Sequence, residues 1–248
     1  MAAGAVASAR AGAGCGRSSD VGGAVASGVH SLNGMSDRAI VFDLDGVLAD
    51  SREPIIACVN AALEAIGLDM RSEAEVEQII GPPSHIGFGE LISEAPDSDV
   101  VAEMVAAYRT RYANALWDTR PFPGVPEAVR TLADQRSLAV ATSKPRRHAL
   151  PVLEAIGLAD AFQVVAGPVP GGAADKQAMV AEALERLGGA AAMIGDRRYD
   201  MEAGRALGLR AIGVTWGYGS REELLAAGAQ ELVDIPPDLL QAVARACG

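Results

Sequence analysis

Between Ala39 and Val233, short apolar and often β-branched runs alternate with stretches whose apolar residues recur at helical spacing. The runs Ala39 to Phe42, Leu138 to Ala141, Phe162 to Ala166, Ala191 to Ile194, Arg210 to Val214 and Glu231 to Val233 are strand candidates. Between them "PGVPEAVRTLADQ", "DKQAMVAEALERLG", "DMEAGRALG" and "SREELLAAGA" have the amphipathic spacing of helices. Strands that are short, apolar throughout and separated by helices imply an α/β fold. The expected core is a Rossmann-like, doubly wound parallel sheet with helices on both faces, whose ligands gather beyond the carboxyl ends of the strands.

The rhythm breaks once. Arg52 to Trp117 holds only helical patterns, such as "PIIACVNAALEAIG" and "VVAEMVAAYRTRYANALW", so residues 52–118 read as an α-helical cap domain inserted after the first strand. "GPP" at Gly81 to Pro83 interrupts a helix within it, because proline lacks an N–H and its ring clashes with the preceding turn. "RPFPG" at Arg120 to Gly124 reads as the return hinge, leaving residues 36–51 and 119–248 as the α/β core. Residues 1–35 are mostly Ala, Gly, Ser and Val without period, the composition of a disordered tail. A signal or transit peptide is the weaker reading, since glycines interrupt the apolar run that a signal needs; Met35 is an alternative start.

With 248 residues and 50% hydrophobic composition the chain can bury a full core. A net charge of −11 argues against nucleic acid or an anionic membrane surface as the main partner, and requires any anionic substrate to meet a local cationic pocket. Cys15, Cys58 and Cys247 form no CxxC pair, which disfavours a disulfide framework or a thiolate zinc site and suits a cytoplasmic location. His30, His85 and His148 show no metal-ligand spacing and read as surface or capping residues. No apolar run approaches the ~20 residues of a membrane-spanning helix.

The strand ends carry the chemistry. "AIVFDLDGVLADS" places Asp43 and Asp45 after the first strand; Thr142, Ser143 and Lys144 follow Leu138 to Ala141; Asp196 and Asp200 in "MIGDRRYD" follow Ala191 to Ile194. If these strands are neighbours, their carboxylates crowd one small volume and repel one another unless a cation is present. Oxygen ligands without nearby His or Cys select a hard ion, and Mg²⁺ suits a site that keeps positions open for water and phosphate.

"DLDGVLADS", "AVATSK", the lysine of "ADKQAMV" and "GDRRYD" resemble, in order, the four motifs of the haloacid dehalogenase superfamily. "FPGVPEAV", "IGPP" and "WGYGSREELLAAGA" are similar to its phosphoglycolate phosphatase-like branch, and the helical insertion sits where that branch carries a C1-type cap. The resemblance implies that Asp43 is a nucleophile forming an aspartyl-phosphate and Asp45 the general acid and base. It implies that Asp43, the Asp45 carbonyl and Asp196 ligate Mg²⁺, with Asp200 beside them or bound through water. Thr142 would bind the phosphoryl group, Lys176 would hold Asp43, and Gly46, Ser143 and Lys144 would meet substrate. Lys144 remains a rival for the role of Lys176. Thr142 and Asp200 also have ordinary readings, as a strand-end hydrogen-bonding residue and a helix N-terminal acid.

Because Asp45 is the second acid that dehalogenases proper lack, the resemblance favours phosphate esters over carbon–halogen bonds. The expected partner is a small phosphorylated metabolite, phosphoglycolate or similar, turned over by a monomer or homodimer. A 5′-nucleotidase or pyrophosphatase is the nearest alternative, and a phospho-accepting regulatory domain the alternative of another class. Met104, Tyr108 and Tyr112 are spaced as cap core, while Arg109, Arg111 and His85 are candidates for substrate selection.

Overall fold

The computed structural model describes residues 39–169 and 175–248. The expected tail, His30 and Met35 lie outside the described residues, as does most of the Gly-rich stretch before Lys176. In chain order the elements are β1 (Ala39–Phe42), β2 (Ala49–Asp50), α1 (Arg52–Ala65), α2 (Glu73–Gln78), α3 (Ser84–Ile92), α4 (Asp99–Ala115), β3 (Arg120–Pro121), α5 (Val125–Ala133), β4 (Leu138–Ala141) and α6 (Arg146–Ala155). There follow β5 (Val164–Ala166), α7 (Lys176–Leu187), β6 (Ala190–Gly195), α8 (Arg198–Ala206), β7 (Arg210–Val214), α9 (Arg221–Ala226), β8 (Glu231–Val233) and α10 (Leu239–Cys247).

Six strands form one parallel sheet in the order β5-β4-β1-β6-β7-β8. Side chains alternate across it. Ile40, Phe42, Val140 and Ile194 face the layer that includes α5, α6 and α10, while Val41, Ala139 and Met193 face α7 and α8. Because helices cover both faces, neither set can be polar, which is why the strands are apolar throughout. The central strand β1 is fully buried and lies between β4 and β6.

Between β2 and β3 the chain is helical, with α1 packed on α4. The two connections that flank these helices pair as a short antiparallel ribbon, Ala49 with Pro121 and Asp50 with Arg120. Sequence periodicity had no purchase on this ribbon, since two residues carry no alternation.

One expected strand is shorter than its apolar run, and two helices lie where the sequence shows no clear period. The strand expected at Phe162 to Ala166 begins at Val164, with Phe162 turned edge-on against Phe42 in the core instead. Helix α6 contains Pro151, a residue that argues against a helix interior and hides this element from a reading by propensity. Helix α2 is a six-residue element started by a capping box between Ser72 and Glu75.

Candidate active site

Because β1 runs between β4 and β6, the carboxyl ends of these three strands lie side by side and bring Asp43, Thr142 and Asp196 to one edge. The Asp43 N–H donates to the Ile194 carbonyl at 2.9 Å, continuing the ladder, and the Thr142 N–H donates to Ala166 at 3.0 Å. Such a crevice at a sheet's carboxyl edge is where doubly wound folds bind ligands.

Two buried lysines divide the acids between them. Lys176, first residue of α7, places Nζ 2.7 Å from Asp43 Oδ1 and 2.9 Å from Asp200 Oδ1, and donates to the Ala141 carbonyl at 3.2 Å. Lys144 lies 3.0 Å from Asp45 Oδ1 and donates to the Tyr112 hydroxyl of α4. Burial alone would lower both ammonium pKa values. Asp200 and then Asp43 reverse this at Lys176, and Asp45 and then Tyr112 at Lys144, so both lysines are raised above the ordinary range.

The acids respond to the same burial. Desolvation pushes Asp43 up to about 7; Lys176 opposes the rise, and Asp200 and Asp45 add to it. Desolvation also raises Asp196 well above the carboxylate range, aided by Asp200 and Asp43. Asp196 Oδ2 accepts the Tyr218 N–H at 2.7 Å, but its buried Oδ1 has no hydrogen-bond partner among the described residues. Asp43, Asp196 and Asp200 can offer oxygens within 4.8 Å of one another. Four acids, Asp43, Asp45, Asp196 and Asp200, face two ammonium groups, leaving two negative charges in excess when all are ionised. An orphaned carboxylate oxygen, an all-oxygen donor set and a surplus of two charges fit a hard divalent cation. Gly46 belongs to the same cradle: its φ is +85°, and a Cβ there would run into the Asp196 carboxylate.

Asp43 and Asp45 open onto a cavity of about 70 Å³ that also touches Thr142, Ser143, Lys144 and His148. Its far wall comes from the helical insertion: Ile55, Ile79 to Pro82, Ser84, Phe88, Tyr108 and Tyr112. Tyr108 and Tyr112 stack at 5.2 Å between ring centroids, with Phe88 edge-on to Tyr108.

The family model described as haloacid dehalogenase-like hydrolase matches residues 40–214. The chain belongs to that family. It is 35% identical over 193 residues to a 5′-nucleotidase of Pseudomonas aeruginosa, across 75% of this chain and 86% of the relative. It is 31% identical over 211 residues to a phosphoglycolate phosphatase of Synechococcus elongatus, across 83% and 97%. The crystal structure of a predicted phosphatase from Clostridium acetobutylicum matches with a TM-score of 0.79 at 30% identity, covering 84% of this chain and 98% of that one. This haloacid dehalogenase-like hydrolase is a phosphatase of the phosphoglycolate phosphatase-like branch, which sets aside the reading as a regulatory domain.

Within this hydrolase all nine residues singled out from the motifs meet at one sheet edge, but the expectation for His148 changes. His148 is buried against Tyr112, not a surface or capping residue; burial, then Arg147, Lys144 and Arg109, lower its pKa to about 4. Tyr108 and Tyr112 belong to the apolar core of the insertion and line the cavity as well. Arg109, Arg111 and His85 are exposed and do not line it. Three residues that sequence reasoning passed over surround the acids: the N–H groups of Arg197 and Tyr218 donate to Asp200 and Asp196, and Glu223 holds the Arg197 guanidinium. The only signal for Arg197 was its place directly after a strand-end aspartate.

No helix among the described residues is long and apolar enough to cross a membrane, and the two described cysteines, Cys58 and Cys247, are free.

Proposed function

We propose that the chain hydrolyses a small phosphomonoester, phosphoglycolate or a close analogue, through an aspartyl-phosphate on Asp43, with the helices of residues 52–118 acting as a cap. One observation carries this reading: the two acids of the first motif share a cavity yet have different partners, Lys176 on Asp43 and Lys144 on Asp45. Such separation suits two carboxylates with separate tasks.

Asp43 Oδ1 is held by Lys176 and by the Leu44 N–H at 2.7 Å, which leaves Oδ2 as the oxygen to attack phosphorus. As the bond from Asp43 to phosphorus forms, the ester oxygen leaves with a proton from Asp45. Asp45 then takes a proton from water as that water attacks phosphorus, releasing inorganic phosphate and restoring Asp43. Thr142 and Ser143 would orient the phosphoryl oxygens, and Gly46 lets the backbone approach them. Asp43, the Asp45 carbonyl and Asp196 would hold Mg²⁺, which when bound supplies positive charge against the phosphoryl oxygens. Asp200 would act beside them, since its Oδ1 pairs with Lys176 and its Oδ2 accepts the Arg197 N–H at 3.0 Å.

A small cavity with a mostly apolar far wall favours a compact leaving group, and Lys144 is the cation available to an anionic one. The nucleotidase relative supports a nucleoside 5′-monophosphate as the second reading. Kinetics with phosphoglycolate and AMP separate the two.

Rapid-quench kinetics test the chemistry. With an aryl phosphate, whose leaving group departs without a proton, Asp45→Ala should release about one phenolate per site in a burst and then stall, because the phosphoenzyme lacks its base. Phosphoglycolate should give almost no burst, and Asp43→Asn none with either ester. Wild-type turnover by Asp45→Ala, or a burst from Asp43→Asn, would overturn the covalent reading.

A further inference from the structure

Arg197 follows Asp196 directly and is 9% exposed, yet its guanidinium leaves the sheet edge and enters the helical insertion. Nη1 donates to the Ile80 carbonyl and Nη2 to the Gln78 carbonyl at 3.2 Å. Nε donates to Glu223 Oε1 at 3.0 Å, and the same oxygen accepts the Arg198 N–H at 2.9 Å. Both backbone acceptors lie at the end of α2, where helical carbonyls run out of partners and the dipole favours a cation. A six-residue helix has little stability of its own, so its position depends on what holds its ends.

The segment that Arg197 holds is also the cavity wall. Ile79, Ile80, Gly81 and Pro82 face the space onto which Asp43 and Asp45 open. Gly81 has φ +120°, and a Cβ there would come within 3.2 Å of Arg197 Cγ, so the turn is moulded onto the arginine. A planar fork reaching two carbonyls with its third edge braced by Glu223 fixes direction as well as distance, which a lysine cannot do.

We infer that Arg197 is a positioning residue that seats the Ile79–Pro82 wall over the reaction centre and thereby sets which leaving groups the phosphatase accepts. This rests on the phosphomonoesterase reading above. Chemistry at phosphorus belongs to the strand-end acids. The wall meets only the rest of the ester, and a loosened wall should lose its hold on a compact substrate while still admitting a bulky one.

The experiment uses the full chain with Arg197→Lys and Arg197→Met, phosphoglycolate and p-nitrophenyl phosphate as probes, and amide hydrogen exchange. For both variants the ratio of kcat/KM for phosphoglycolate to that for p-nitrophenyl phosphate should fall by at least about tenfold, mainly through KM for phosphoglycolate. Exchange at Ile79, Ile80 and Gly81 should speed up by about tenfold or more while exchange in β7 stays at the wild-type rate. A merely structural loss would lower both substrates together and raise exchange throughout. Should Arg197→Met fail to fold, Arg197→Lys carries the test, and Glu223→Ala, which removes the acceptor shared by Nε and the Arg198 N–H but leaves both carbonyl contacts, should give a smaller change of the same kind. An unchanged ratio in an active enzyme overturns the inference and leaves the phosphatase reading standing. A wild-type chain inactive on both esters overturns that reading, and the exchange result still decides whether Arg197 holds the wall.

Discussion

Gly46 shows how little room the reaction centre leaves. It turns at φ +85° between the two motif acids and the segment that follows, and its missing side chain is the space occupied by the Asp196 carboxylate. Gly46→Ala should therefore combine left-handed strain, about 1–3 kcal/mol, with displacement of Asp196. The melting temperature should fall and turnover drop by about a hundredfold, since misplaced reacting groups lose rate steeply. Calorimetry and steady-state kinetics on the same preparation check both, and near-wild-type values would show that the cradle can relax. At this scale the acids were legible because each follows an apolar run, and a strand's end is a place the sequence marks. The resemblance pointed Lys176 at Asp43 and left Lys144 its rival, but nothing in the sequence paired Lys144 with Asp45. Both lie at helix starts, Lys144 just before α6 and Lys176 first in α7, and only the order of strands in space decides which carboxylate each ammonium reaches.

At the scale of elements, what escaped the sequence was whatever was too short or internally contradictory to show a period. Two-residue strands cannot alternate, α2 makes little more than a turn, and Pro151 argues locally against the helix that tertiary packing of Ala149, Val152 and Leu153 imposes on α6. The long strands and helices emerged almost intact because burial on one or both faces writes itself into every residue. The loop after β7 was visible only as Gly and aromatic residues, yet it braces the first connection to the insertion: Trp216 Nε1 donates to the Val47 carbonyl at 3.1 Å, and the Tyr218 hydroxyl accepts the Ser51 N–H at 2.9 Å. Tyr218→Phe keeps the ring under Arg52 and strands the Ser51 amide. It should lower stability by about 1 kcal/mol in urea and speed exchange at Ser51. Unchanged protection at that amide would mean another acceptor serves it.

For the whole molecule, the acid cluster and His148 act on stability in opposite directions. Burial raises Asp43 from 3.8 to about 7, so over that range the folded chain binds its proton more tightly than the unfolded chain does, and stability falls as pH rises through the window. His148 is lowered from 6.5 to about 4, so there the unfolded chain is the better proton acceptor and stability rises with pH. A plain pH–stability curve mixes the two. The difference between curves in excess Mg²⁺ and in chelator removes the His148 contribution, which is common to both, and leaves the acids. A cation held by Asp43 must displace the proton that Asp43 carries below about 7, so the stabilisation by Mg²⁺ should be small at pH 5.5, grow through pH 7 and level off once Asp196, raised by the same burial, has also lost its proton. At a hundredfold excess over the dissociation constant it should reach about 2.7 kcal/mol on the plateau. Asp196→Asn, which alters the oxygen that has no partner, should abolish most of it. Calorimetric melts of both proteins at pH 5.5, 7 and 8 decide the matter. A Mg²⁺ shift that is absent, independent of pH or intact in Asp196→Asn would place the cation somewhere other than this cluster.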